Sequence, residues 1–110
     1  MSDQFVPVVK TPDLGPGDIR EVHAHGRDLG VTNVGQTYYA FAPECPVDGT
    51  NLAREGVLKG DLLVCPQDDA AFDVRTGECV EPEGQPGLQR YAIRVEENEV
   101  KIGPPIPTDA

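Results

Sequence analysis

The stretch CPVDGTNLAREGVLKGDLLVCPQDDAAFDVRTGE, residues 45–78, decides how the rest of the chain is read. It holds two Cys-Pro loops of similar make-up, Cys45-Pro46-Val47-Asp48 and Cys65-Pro66-Gln67-Asp68, each with a carboxylate three residues after a cysteine. Between them, Leu58-Lys59-Gly60-Asp61 reads as a turn and Leu62-Leu63-Val64 as a short buried strand running into Cys65. Residues 72–75 read as a further strand, closed by the Thr76-Gly77 turn. Two loops thus stand on either side of a small β segment.

Outward from this stretch the chain keeps turning. Residues 5–9 alternate loosely and predict a strand, with Pro7 favouring a sheet edge. PDLGPGD, residues 12–18, is a turn cluster. Segments 19–25, 29–34 and 37–42, separated by short turn signals, predict a meander of antiparallel strands. On the far side, EPEGQPG (81–87) reads as an irregular loop, and residues 91–95 alternate cleanly as a strand. Glu97-Asn98 turns, and residues 100–102 pair back. Long helical periodicity and internal repeats beyond the paired loops are missing.

Composition agrees. The 110 residues suit one domain with one modest core. Trp is absent and aromatics make up 5%, so Val, Leu and Ile must build that core. Twelve Gly and eleven Pro favour a turn-rich β domain over a helical bundle. A net charge of −10 leaves no basic stripe for nucleic acid or for an anionic membrane. It favours encounter with a basic protein patch. Three cysteines make no disulfide framework, and Met1-Ser2-Asp3-Gln4 has neither the basic nor the apolar region of a secretory leader. No apolar run is long enough to span a bilayer. These features predict a cytoplasmic protein.

The stretch 45–77 resembles the Rieske domain. That family's pattern is a Cys-x-His loop, a spacer with Gly and Leu, then Cys-Pro-x-His-Gly and a Phe-Asp-x-x-Thr-Gly strand and turn. Cys45, Gly49, Leu52, Gly56, Gly60, Leu63, Cys65, Pro66, Phe72, Asp73, Thr76 and Gly77 carry the likeness. The PDLGPGD turn and the later RYAIRVEENEV segment extend it over nearly the whole chain. The resemblance implies an all-β fold, a Rieske-like antiparallel sandwich or barrel with a small inserted two-loop, cluster-binding-like subdomain. Residues 1–103 would form one domain, 45–77 its subdomain, and 104–110 a flexible C-terminal tail.

The ligands depart from the family. Rieske centres hold one iron by two thiolates and the other by two imidazoles. Here the histidine positions are Val47 and Asp68, and Asp69 replaces the following glycine. The expectation is therefore a scaffold with no cofactor. The alternative is an iron–sulfur cluster or a single iron or zinc on Cys45, Cys65, Asp48 and Asp68, mixing soft and hard donors. The two aspartates are equally ordinary loop residues that tolerate turns. The resemblance also implies that Cys45 and Cys65 lie close together, within reach of a disulfide if the geometry permits. Asp48, Asp68 and Asp69 would raise the thiol pKa by like charge.

His23 and His25 alternate with Glu21 on one strand face, a possible chelating set or simply exposed polar residues. Cys79 matches no ligand position of the family and reads as a small core or surface residue. Arg54, Arg75 and Arg90 are single cations expected to partner carboxylates. With no phosphate loop and no nucleophile elbow, no catalytic residue is assigned and no enzyme is expected.

Rieske ferredoxins of this size resemble electron shuttles between a flavin reductase and an oxygenase. Some nitrite reductase small subunits keep the fold without the ligands. The sequence therefore predicts a Rieske-ferredoxin-like accessory component of an oxygenase or reductase system, docking through an acidic tip made from Asp48, Asp68, Asp69 and residues 81–87. Its partner would be a redox enzyme or oxygenase component with a basic patch. The alternative function is an electron-transfer ferredoxin that holds its metal through Cys45 and Cys65 with Asp48 or Asp68. Nothing in the residues speaks for or against self-association.

Overall fold

The computed structural model describes residues 5–67 and 69–106. Ten strands form two antiparallel sheets. The larger orders β1 (Val6–Lys10), β10 (Glu99–Ile106), β9 (Arg90–Glu96), β4 (Thr37–Phe41), β3 (Arg27–Val34) and β2 (Ile19–Ala24) from edge to edge. Its two edges, β1 and β2, lie against each other, so the sheet curls into a nearly closed barrel. The smaller sheet, inserted in the chain between β4 and β9, orders β5 (Val57–Lys59), β6 (Leu62–Val64), β7 (Ala71–Asp73) and β8 (Cys79–Glu81). The all-β expectation with an inserted subdomain matches this architecture.

Three two-residue turns set the register of the barrel. They join Ala24 to Arg27, Val34 to Thr37 and Glu96 to Glu99, residues that face each other across their hairpins. Both central residues of each turn have positive φ: His25-Gly26, Gly35-Gln36 and Glu97-Asn98. That geometry matches the right-handed twist of the strands, so each hairpin closes without splaying.

Inside the barrel, Leu14, Leu29, Val31, Tyr91, Val100 and Ile102 are buried. The turn cluster at 12–18 is tied to β3 by backbone hydrogen bonds, by Thr32 Oγ1 donating to the Asp18 carbonyl at 2.7 Å, and by a buried amide. Asn33, itself buried, donates from Nδ2 to the Leu14 carbonyl at 2.8 Å and accepts from the Gln36 N–H at 2.8 Å. A buried amide is tolerated there because it is satisfied.

A second core lies under the small sheet and contains Leu52, Leu63, Phe72, Val74, Leu88 and all three cysteines, with Phe41 of β4 joining it from the barrel. A one-turn helix, α1 (Leu52–Glu55), runs across this core. Asn51 caps it by accepting from the N–H groups of Ala53 and Arg54. Glu21 of β2 then accepts from Asn51 Nδ2 at 3.1 Å and Arg54 Nε at 2.7 Å, tying subdomain to barrel. The Arg54 guanidinium, with help from Asn51, holds the Glu21 carboxyl below the usual range.

The structure differs from the sequence reading at α1, at β5, whose Leu58 and Lys59 read as part of a turn, and at two places further along the chain. Cys79 opens a strand, β8, instead of preceding a loop, with Phe72 and Ala71 of β7 as its partners. β10 continues through Gly103, Pro104 and Pro105 to Ile106, where composition alone predicts a tail. Pairing with β1 ends at Ile102, while Pro105 and Ile106 still face Tyr91 and Arg90 of β9. Prolines are admitted because that flank of β10 has no strand asking for an N–H. Residues 107–110 of the expected tail lie outside the described residues.

Gly30 of β3 faces Phe41 of β4, and a Cβ there would stand 2.5 Å from the buried Phe41 ring. Gly30→Ala is expected to lower stability by about 1–3 kcal/mol, the usual cost of overpacking a fixed ring. Urea unfolding measures this, and an unchanged midpoint would show that the ring can yield.

Candidate metal centre

The two Cys-Pro segments fold into the same loop. Each spans six residues, 45–50 and 65–70, between a pair of facing residues: Glu44 with Asn51, and Val64 with Ala71. In each, the cysteine N–H donates to the carbonyl of the sixth residue, Thr50 or Ala70, at 2.8 Å. The cysteine carbonyl accepts from the N–H of the fifth, Gly49 at 2.8 Å or Asp69 at 2.9 Å. The fifth residue has positive φ in both, +81° at Gly49 and +63° at Asp69. Glycine and aspartate are residues that tolerate this conformation, so Asp69 keeps the loop shape in place of the family glycine.

This geometry points both cysteines inward. Cys45 is 2% exposed and Cys65 is fully buried. Asp48, the fourth residue of the first loop, turns its carboxylate across to the second. Its oxygens lie 3.7 and 3.8 Å from Cys65 Sγ, which donates to them. The Thr50 N–H donates to Asp48 Oδ1 at 3.0 Å and orients it. One ligand atom from each of Cys45, Asp48 and Cys65 lies within 4.8 Å of the others, and no other such trio occurs among the described residues. No disulfide joins the cysteines among the described residues.

Burial pushes the Cys45 thiol up to about 11. The backbone N–H groups of Asp48 and Val47 pull the other way by hydrogen-bonding its sulfur. The Asp48 carboxylate and neighbouring Cys65 contribute smaller upward shifts. The sequence reading had the direction right but gave the aspartates the leading part that belongs to desolvation.

The remaining residues named from sequence sit as follows. Asp68 lies outside the described residues, and its part rests on loop spacing alone. Val47 occupies a family histidine position with its side chain partly in solvent. His23 pairs with Asp28 at 3.1 Å, His25 meets the Ile102 carbonyl at 3.1 Å, and Glu21 is taken by α1, so these three form no chelating set. Cys79 is buried and donates to the carbonyls of Glu81 and Pro82, away from the trio. Arg54 and Arg75 pair with carboxylates as expected, Arg75 with Asp73 at 2.9 Å. The sequence reading grouped Asp48 with both cysteines, and the structure adds that its carboxylate reaches the cysteine of the opposite loop. The repeated Cys-Pro-x-Asp spacing was the only trace of that reach.

The residues fit half of a Rieske centre. Cys45 and Cys65 would supply the two thiolates for one iron. The imidazole half does not fit, because Val47 has no donor atom and no histidine joins the cysteine–aspartate trio among the described residues.

Comparison with known proteins places the chain firmly. The family pattern described as "Rieske-like [2Fe-2S] domain" matches residues 4–103. Ferredoxin CarAc of Metapseudomonas resinovorans is 33% identical over 103 residues, 93% of this chain and 95% of that protein. Cholesterol 7-desaturase nvd of Hemicentrotus pulcherrimus is 34% identical over 79 residues, 70% of this chain but 17% of the desaturase. Among solved structures, a chain in the complex of reduced oxygenase and oxidized ferredoxin in carbazole 1,9a-dioxygenase superposes with a TM-score of 0.84. It is 32% identical, with 93% of this chain and 94% of that one covered. These findings overturn the expectation of a scaffold with no cofactor, since the family is a [2Fe-2S] one and the relative matched end to end is a ferredoxin. The missing histidines misled that expectation: they remove two donors and leave three others converged.

The raised thiol of Cys45 has a consequence for metal-free protein. The folded chain keeps this proton to about pH 11, whereas the unfolded chain loses it near 9. Stability from this source is fully present below the unfolded value and is lost as pH rises through the folded one. Urea midpoints taken from about pH 8 to about pH 11 should fall more steeply for wild type than for Cys45→Ser. Parallel curves would remove burial of this thiol as a factor.

Proposed function

This chain belongs to the Rieske-like [2Fe-2S] domain family, and on that premise we propose that it is the electron-transfer ferredoxin component of an oxygenase system. In this reading Cys45 and Cys65, with Asp48 and Asp68 as oxygen donors, hold its redox metal centre. The observation that carries the reading is the convergence of Cys45, Asp48 and Cys65 within 4.8 Å. A bound iron centre supplies a one-electron acceptor. The protein's own part is to bury both sulfurs against water, to aim two N–H groups at the Cys45 sulfur, and to leave the loop tips at the surface. Asp48 and Val47 are both exposed there, so the site lies close to whatever docks.

The partner, in this reading, is an oxygenase component with a basic patch. Two observations support it: the net charge of −10, and the exposed run 81–87, whose Glu81 faces Ala71 at the base of the second loop. Opposite fields speed encounter and orient it. No side chain is assigned a catalytic role, and the ferredoxin relative matched over 95% of its length supports a carrier. Three cysteines without a disulfide among the described residues suit a reducing compartment, the cytoplasm. Among the described residues no helix is long and apolar enough to cross a membrane.

The test is rapid mixing of the chemically reduced protein with a terminal oxygenase of the ring-hydroxylating type. The visible absorption should bleach on reduction and return on mixing. Its rate should fall as salt rises from about 50 mM to about 500 mM, because screening shortens the reach of the charges. Glu81→Lys with Glu83→Lys should slow the reaction at low salt and change it little at high salt. A protein that cannot be reduced, or that does not pass its electron on, would sink the carrier reading. A rate indifferent to salt would sink the docking surface.

A further inference from the structure

We infer that the site closes on a single metal ion held by the Cys45 and Cys65 thiolates and the Asp48 carboxylate, and not on a two-iron cluster. This rests on the reading above, which puts a metal centre between the loops, and it concerns how many metals are there and what holds them.

A family cluster needs donors for two irons, set apart by bridging sulfides. The second iron's donor from the first loop would come from position 47, and Val47 has none. The donor that is present, Asp48, stands too close to the thiols to serve an iron beyond the first. Asp48 lies 3.7 and 3.8 Å from Cys65 Sγ, beside the thiols and not beyond them. Around one tetrahedral ion with metal–sulfur bonds of about 2.3 Å and metal–oxygen bonds of about 2.0–2.2 Å, adjacent donors stand roughly 3.5–3.8 Å apart. The whole trio already fits within 4.8 Å, so it needs only a small contraction to surround one ion.

The surroundings suit that use. The N–H groups of Val47 and Asp48 point at the Cys45 sulfur, where they stabilise a thiolate. The Thr50 N–H fixes the Asp48 carboxylate, as groups behind a ligand commonly do. Two sulfurs and an oxygen select borderline divalent ions such as iron, zinc or cobalt over magnesium or calcium. Binding replaces the two thiol protons by the ion and releases both to solvent.

Two measurements test this on the full chain. The first is metal and acid-labile sulfide content of protein purified without oxygen, with one iron or zinc and no sulfide expected. Two irons with two sulfides would overturn the single-ion site and leave the electron carrier standing. One zinc would uphold the site and remove the carrier, because zinc has no redox chemistry. The second is titration of the metal-stripped protein with Co(II), read by thiolate-to-cobalt charge-transfer absorption. One cobalt per chain with tetrahedral bands is expected. Asp48→Asn should weaken its binding by at least about tenfold, while Asp69→Asn, which keeps the left-handed turn, should not. Asp48→Asn is accepted as evidence only if its circular dichroism matches wild type. If it does not, the wild-type stoichiometry decides. Unchanged cobalt affinity in a folded Asp48→Asn would overturn the ligand set, and a protein that takes up no metal at all would overturn both readings.

Discussion

Everything at the site depends on one backbone arrangement used twice, a six-residue loop pinned by hydrogen bonds to both the N–H and the carbonyl of its first residue. With its backbone held at both groups, each cysteine is carried by the loop base and not by its tip. The fifth position must then take a positive φ, which glycine or aspartate can do. The side chain at position 47 is left exposed at the loop tip, where it is free to vary chemically. That freedom is what this chain exploits. The fold survives substitution of a histidine by valine because the loop never relied on the imidazole for its shape.

The loops are only as fixed as the sheet beneath them. Leu63 and Phe72, facing each other across β6 and β7, are fully buried in the same cluster as Cys45 and Cys65. The sulfurs are thus part of a packed hydrophobic core. Phe41 joins that core from the barrel, and Glu21 grips α1 through Asn51 and Arg54. Packing and a charge-assisted contact therefore fix the subdomain on the barrel at two separate places. Loop 45–50 leaves β4 just after Phe41, so its position is set by both.

Burial and donor chemistry pull in opposite directions here. Desolvation keeps the Cys45 thiol protonated and unreactive in the absence of a cation. A divalent ion reverses the balance, since its charge offsets two thiolates and a carboxylate in the same volume. The backbone N–H groups at the sulfur favour the metal-bound form in advance. An acidic chain with such a site is poor at nucleophilic chemistry and well suited to holding a metal close to its surface.

Much of this was legible in the residues themselves. Period-two alternation located most of the strands, and Gly26, Gly35 and Glu97-Asn98 marked the turns that hold them in register. The spacing of Cys45, Cys65, Phe72 and Thr76-Gly77 pointed to the family, and the four candidate ligands were named from the repeated Cys-Pro-x-Asp. A one-turn helix and two three-residue strands escaped, because α1, β5 and β8 are too short to show a period and owe their existence to a cap and to neighbouring strands. The continuation of β10 through two prolines escaped for a related reason, since whether a residue needs its N–H depends on which neighbours the sheet provides. The histidines scattered to Asp28 and to the Ile102 carbonyl because the hairpin turn at 25–26 separates side chains that a straight strand would align. Sequence alone determined which donors this chain possesses and which it lacks. That Asp48 reaches the cysteine of the other loop was decided only in three dimensions, where the packing of one hairpin against another sets distances between residues that no local pattern connects.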